Sequence, residues 1–237
     1  MRGAGWLAGL LAGLLAAGCG ESTSSAADFG EELFQDDRLS ESQFNHFSCA
    51  TCHATTPSPA AGRLLAGHTL HNTAFRPSWW GGYETELLNA VNFCYVHFMR
   101  GVAPLTREEP KSRALYEYLV RISPDPQAPA LPFTVVADIM EVPRGAVSRG
   151  AEVYRAACQD CHGETHTGKG RLTEQASVLP EVVNDYDALF PGVPKSLVVI
   201  EKIRHGQFFG VGGNMPLYSL EALSDEDLGA LLAFLEL

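Results

Sequence analysis

Cys49-Ala50-Thr51-Cys52-His53 and, 109 residues further on, Cys158-Gln159-Asp160-Cys161-His162 are two copies of one pattern, Cys-x-x-Cys-His. The two cysteines of such a pentapeptide form thioether bonds to the vinyl groups of a haem, and the adjacent histidine is held beneath the iron as proximal ligand. The sequence therefore predicts two covalently bound haem c groups. One is attached through Cys49 and Cys52 with His53 on the iron, the other through Cys158 and Cys161 with His162 on the iron. Structural zinc and disulfides are the other uses of a Cys-x-x-Cys pair. A four-thiolate zinc site wants its pairs closer than these, and neither use needs a histidine directly behind each second cysteine.

Outward from the first motif, the N-terminus reads as an export signal. Arg2 supplies a positive start, Trp6 to Ala17 a short apolar run, and small residues lead up to Cys19. The run is too short for a lasting transmembrane helix. Leu15-Ala16-Ala17-Gly18-Cys19 resembles a bacterial lipoprotein cleavage site, although Ala16 stands where such sites favour Leu. That resemblance implies removal of residues 1–18 and lipid on Cys19, with residues 19–28 as a polar tether. An ordinary secretory peptide cut nearby is the alternative. The expected location is the bacterial cell envelope, anchored to a membrane and facing the periplasm or exterior, a compartment that agrees with covalent haem.

The chain carries 17 basic and 28 acidic residues. Loss of residues 1–18 removes Arg2 alone among the charges and takes the formal charge from −11 to −12. Such a surface excludes nucleic acid as a natural partner. It suits solubility, and it suits encounter with a basic patch on a periplasmic or membrane redox protein.

Between the motifs, Ser123 to Pro132 holds four prolines in ten residues, too many for a helix or a central strand. The predicted organisation is a first domain over 29–122, a linker over 123–142 with an extended segment from Phe133 to Val142, and a second domain over 143–237. Helical periodicity is expected for Phe29 to Phe34, Glu84 to Met99, Ser112 to Ile122 and Ala146 to Gln159. A last helix begins at the Ser224-Asp-Glu-Asp227 cap and buries Leu228, Leu231, Leu232 and Leu235. The fold class is all-α. The order of helix, Cys-x-x-Cys-His, loop-rich stretch, methionine loop and final helix resembles the cytochrome c family, closely over Gly145 to Leu237 and less so over Phe29 to Ser123. That resemblance implies two haem domains whose first and last helices cross, with haem as much of the core.

The sixth iron ligands bear on function. Met215, in Gly212-Gly213-Asn214-Met215-Pro216, lies 53 residues beyond His162 and just before the last helix. A thioether is a soft, neutral donor that raises the reduction potential, and Met215 is the expected distal ligand of the second haem. Cys94 is left over once Cys19 and the four attachment cysteines are assigned, and an odd cysteine in an exported chain is notable. It lies in Val91-Asn92-Phe93-Cys94-Tyr95-Val96-His97-Phe98-Met99-Arg100-Gly101. On a helix, Cys94 and His97 would share a face and Met99 would point away from it. The first haem's sixth ligand stays open between Cys94 and Met99, with His97, His71, His68 and an open position behind them.

This segment resembles the thiosulfate dehydrogenase family of dihaem cytochromes, and more distantly the haem subunit of sulfur-oxidising complexes. Val91, Asn92, Cys94 and Gly101 match, and Ala114 to Leu119 matches the family's next helix in character. The resemblance implies Cys94 as axial ligand at an active site acting on thiosulfate. Tyr95, Val96 and His97 stand where that family has charged residues, leaving Arg63, Arg76 and Arg100 to supply positive charge. Trp79 and Trp80 either wall the pocket or its edge or merely pack, and packing is the favoured reading, as for most buried tryptophans. The leading functional expectation is a lipid-anchored dihaem cytochrome passing single electrons between redox partners, with the thiosulfate-oxidising enzyme as the alternative. A dihaem peroxidase would need an open distal position with acid/base groups beside it, and no motif supplies them.

Overall fold

The computed structural model describes residues 25–237 apart from 138, 140, 142–143 and 211–214. The expected leader, Cys19 and most of the tether lie outside these residues. Ser25 starts the first helix, Ala26–Gln35: its hydroxyl accepts from the Asp28 N–H at 3.2 Å while the Asp28 carboxylate accepts from the Ser25 N–H at 3.0 Å. This reciprocal cap begins the helix ahead of the expected Phe29, so the last residues assigned to the tether are helical. The helix buries Gly30, Leu33 and Phe34 on one stripe.

Two helical crossings dominate the molecule. Ala26–Gln35 packs on Pro110–Arg121, and Val147–Val153 packs on Asp225–Phe234. Each crossing is closed by the same chemistry. A Cβ on Gly30 would lie 2.0 Å from the Ala114 carbonyl oxygen, and a Cβ on Gly150 would lie 2.0 Å from that of Ala230. Four residues on, an aromatic pair locks each crossing: Phe34 against Tyr118 at 5.4 Å and Tyr154 against Phe234 at 5.6 Å. The halves repeat one frame even though the sequence shows little similarity beyond the motifs. Among the described residues there is no strand; Trp79 and Glu84 form an isolated bridge. The architecture is the all-α, cytochrome c-like fold expected.

The middle helix of the first half covers Leu87–His97, shorter than the expected Glu84 to Met99. The Glu84 carboxylate accepts from the N–H groups of Thr85 and Glu86 and delays its start. At its end the N–H groups of both Phe98 and Met99 turn back to the Cys94 carbonyl, and Arg100 takes a left-handed φ of 61°. The expectation that Met99 points away from Cys94 assumed a continuing helix; the chain instead unwinds after His97.

Residues 123–137 run without helix or strand, but they are not a loose tether. The Thr134 N–H and hydroxyl both donate to the Glu221 carboxylate, at 2.9 and 2.6 Å, and the Leu220 N–H donates to the Thr134 carbonyl. His205 donates through Nε2 to the Val136 carbonyl at 2.6 Å. On the other side, His68 Nε2 meets the Pro132 carbonyl at 2.7 Å, and Phe133 sits edge-on to both Trp80 and His68. The segment is a strap fastened to both halves. A second join forms where Tyr154–Cys158 widens into a π turn and Ala156 presents its carbonyl to the Leu64 N–H at 2.9 Å.

Candidate haem sites

Each Cys-x-x-Cys-His segment lies in a short helical turn at the edge of a largely apolar cavity. Cys49–Cys52 begins at Ser48, whose hydroxyl and backbone engage Thr51, and Gln159–His162 continues directly from the π turn. The histidines share one arrangement. His53 Nδ1 bonds the carbonyl of His68 at 2.7 Å, and His162 Nδ1 bonds that of Ser177 at 2.8 Å, fifteen residues downstream in each case. A carbonyl can only accept, so Nδ1 carries the proton and Nε2 keeps its lone pair for a metal. Burial also holds both imidazoles below their ordinary pKa, which favours the neutral ligand form. Gly67 passes over the His53 ring so closely that a Cβ there would lie 2.2 Å from Cε1. The sequence reading missed that glycine, which no motif marks.

The second cavity brings Cys158, Cys161, His162 and Met215 together. Met215 is fixed at its backbone: its N–H donates to the Gly206 carbonyl at 2.9 Å, where the helix Lys195–His205 ends in a left-handed glycine, φ 79°. A Cβ on Gly206 would lie 2.5 Å from the Met215 carbonyl oxygen. Three residues on, the Tyr218 hydroxyl donates to the Ala157 carbonyl at 2.7 Å, tying the methionine segment to the attachment turn. Arg204, 1% exposed, holds the same segment from below. Its Nη1 donates to the carbonyls of Tyr218, Ser219 and Leu223, and its Nη2 pairs with Asp225 at 2.7 Å. Nothing in the sequence marks this clamp, because a charged residue in an amphipathic helix reads as surface.

The first cavity brings together Cys49, Cys52, His53, Cys94 and Met99, so both rival ligands line it. Met99 is 4% exposed and packs among Leu33, Phe34, Leu39 and Tyr95, whereas Cys94 is half-buried. Burial pushes the Cys94 thiol far above its ordinary range, so without a metal it is an inert thiol, and a cation able to displace its proton is what would make it a thiolate. Asn92 and Gly101 act as fasteners around it. The Asn92 amide exchanges two hydrogen bonds with the Leu105 backbone, and a Cβ on Gly101 would lie 2.2 Å from the Tyr95 ring. Of the further candidates, His97 is exposed and stacked on Phe93, His71 lies outside the cavity lining, and His68 lines the cavity with its Nε2 bonded to Pro132. Trp79 and Trp80 line the cavity rather than merely packing, joined by Phe133 of the strap.

The three arginines separate. Arg76 lines the first cavity, while Arg63 and Arg100 line the second, Arg63 paired with Asp160 at 2.5 Å. The cavities adjoin: Phe47, Cys52, Ala66, Phe98 and Pro216 line both. Met215 faces the second cavity, Leu217 lines the first, and Pro216 between them serves both. The donors suit haem c on each side: two cysteines, a neutral imidazole with Nδ1 committed, sulfur donors and an apolar lining. No helix among the described residues is long and apolar enough to cross a membrane.

Residues 145–235 match the family of the cbb3-type cytochrome c oxidase subunit III. No curated protein matches the chain. Among solved structures, the thiosulfate dehydrogenase (TsdBA) from Marichromatium purpuratum aligns with 89% of this chain at 14% identity and a TM-score of 0.43. The chain spans 45% of that structure's length. The family match over residues 145–235 supports a c-type cytochrome with covalently bound haem c in the second half, and the donor set of the first half is of the same kind.

Proposed function

We propose that each cavity holds one haem c and that the protein passes single electrons through the pair. The observation that carries this reading is the wall common to the two cavities, with a histidine of fixed Nδ1 and a sulfur donor on each side of it. When bound, haem supplies a ferric/ferrous couple. The chain's own part is to hold His53 and His162 neutral, to keep Met215 at the second site, and to exclude water from both. Two centres divided by one layer of Phe47, Cys52, Ala66, Phe98 and Pro216 favour exchange within the molecule over exchange with solvent. The partners are redox proteins of the envelope, and lipid on Cys19 tethers the chain to the membrane there. Intact mass should show two haem increments that survive acid-acetone extraction, and a potentiometric titration should show two one-electron waves. A single increment overturns the reading. Cys19→Ser should release soluble haem protein or leave uncleaved precursor.

A second reading has one observation in its favour: Cys94 lines the first cavity together with the attachment motif. Joining two thiosulfates into tetrathionate forms one sulfur–sulfur bond and releases two electrons, one for each haem. Cys94 would then ligate the first iron beside the reacting sulfur. Thiosulfate-dependent reduction that disappears in Cys94→Ala supports the enzyme; reduction by thiosulfate at equal rate in that variant excludes it.

A further inference from the structure

Arg76 carries a positive charge into the first cavity with no carboxylate to meet it. The residue is 8% exposed, and it is the one Lys, Arg, Asp or Glu side chain among the described residues lining that cavity. Its backbone is extended, φ −66° and ψ 143°, as Pro77 requires of the residue before it. Behind it, Thr73 is fully buried and accepts from Trp79 Nε1 at 3.0 Å, which fixes the turn carrying the arginine. A guanidinium offers five N–H donors. One contact is made, from Nη2 to the His71 carbonyl at 2.7 Å, and no acidic side chain lies within ion-pair distance. Burial alone accounts for its lowered pKa, without a charged neighbour to oppose it. The other buried arginine, Arg204, has an anion in Asp225. An arginine kept out of water without an anion is strongly unfavourable, and it persists where an anion completes it.

We propose that Arg76 is the seat of a carboxylate belonging to the cofactor itself, a propionate of the haem in the first cavity. The inference rests on the reading that this cavity holds haem. A planar guanidinium takes a carboxylate through two parallel N–H···O bonds, and the nearly apolar lining leaves the propionate no competing cation. The pairing would make Arg76 a positioning residue for the haem that Cys49, Cys52 and His53 would hold. It also raises the potential of the first iron, because a fixed positive charge destabilises ferric more than ferrous haem.

The test uses the full holo-protein with Arg76→Gln and Arg76→Lys, reading haem content by intact mass and each potential by spectroelectrochemistry. The first haem is the wave that Met215→Ala does not move. With both haems loaded, Arg76→Gln should shift the first ferric/ferrous equilibrium about tenfold toward ferric, equivalent to about 59 mV for one electron. The second wave should move less, and Arg76→Lys should restore most of the shift. Addition of sulfate or thiosulfate should leave the wild-type potential unchanged. An unmoved first wave in loaded Arg76→Gln overturns the proposal and leaves Arg76 as a support for the His71 carbonyl. A wild-type potential that follows added oxyanion, and ceases to do so in Arg76→Gln, also overturns it, in favour of a soluble anion. Absence of haem from the first cavity of the wild type refutes the underlying reading instead. If Arg76→Gln does not fold, the propionate-bending band in resonance Raman decides: it should differ between wild type and Arg76→Lys, and an identical band defeats the proposal.

Discussion

The two halves share a frame and differ in how the far side of each cavity is built. In both, a glycine of the first helix meets an alanine carbonyl of the last, an aromatic pair sits one turn further on, and the histidine's Nδ1 finds a carbonyl fifteen residues downstream. The second half closes with a methionine segment gripped by Gly206, Tyr218 and the buried Arg204. The first closes with a helix that carries Cys94, unwinds at Met99, and is roofed by a strap from between the halves. One scaffold thus places a single methionine, fixed at its backbone, on one cavity and two rival sulfur side chains, Cys94 and Met99, on the other.

The shared part should fail in the same way in both halves. Replacing Cys158 and Cys161 by Ser should remove one haem increment and leave the second half without fixed packing, a loss comparable to a domain's whole stability of about 5–15 kcal/mol. Cys49 and Cys52 replaced by Ser should do so in the first half, as read by near-ultraviolet circular dichroism. Next in size, Gly30→Ala and Gly150→Ala each push a methyl into a backbone carbonyl and should each cost about 3 kcal/mol or more in denaturant unfolding. If one is harmless while the other unfolds its half, the frames are not equivalent.

The differing part should fail differently. Met215→Ala should lower the second haem's potential by on the order of 0.1–0.3 V within the roughly 0.8 V that axial ligands span, and abolish the near-infrared methionine-to-iron band. At the first haem, the ligand variant should change the electron paramagnetic resonance spectrum and the other should not. A change confined to Cys94→Ala identifies thiolate ligation and a low potential; a change confined to Met99→Ala makes Cys94 a buried thiol and ends the likeness to sulfur chemistry.

Legibility in the sequence follows the range of the interactions involved. The attachment motifs are local, and so is the final helix, whose Ser224 hydroxyl accepts from the Asp227 N–H and whose four predicted leucines are all at most 3% exposed. Met215 is legible because Gly and Pro flank it in a pattern that means a tight loop. The Gly30–Ala114 and Gly150–Ala230 contacts are not legible, since a single glycine in a helix carries no sign of what crosses it. Arg204 was unreadable for a related reason, since a charged residue becomes a core residue only through distant carbonyls; Arg76 is named among three candidate charges, but which of the three reaches the first cavity is decided by the fold. The end of the Leu87–His97 helix was misplaced because Met99 and Arg100 are compatible with helix, and the turn at Cys94 is imposed by packing of Gly101 on Tyr95.

The smallest expected effect concerns the strap, which meets the two halves through different chemistry. At the first half Phe133 rests on rings, whereas at the second half Thr134 is held by the Glu221 carboxylate. Partial burial acts to raise the Glu221 pKa, but hydrogen bonds from the Thr134 hydroxyl and N–H, with the Glu221 N–H and the Ser219 hydroxyl, together outweigh it and lower it from 4.5 to about 2. A depressed carboxylate contributes stability that is fully present above its unfolded pKa and is lost as pH falls through its folded one. The strap should therefore loosen from the second half between about pH 4.5 and pH 2. Glu221 is solvent-exposed, so screening keeps the effect below about 1 kcal/mol. Amide exchange at Thr134 should rise over that interval while the Phe133 ring shifts hold steady. Thr134→Val keeps the backbone bond and removes the hydroxyl, so the Glu221 pKa followed by NMR should move part of the way back toward 4.5. An unchanged titration in Thr134→Val would show that the hydroxyl does not set it, and that the strap is held to both halves by packing alone.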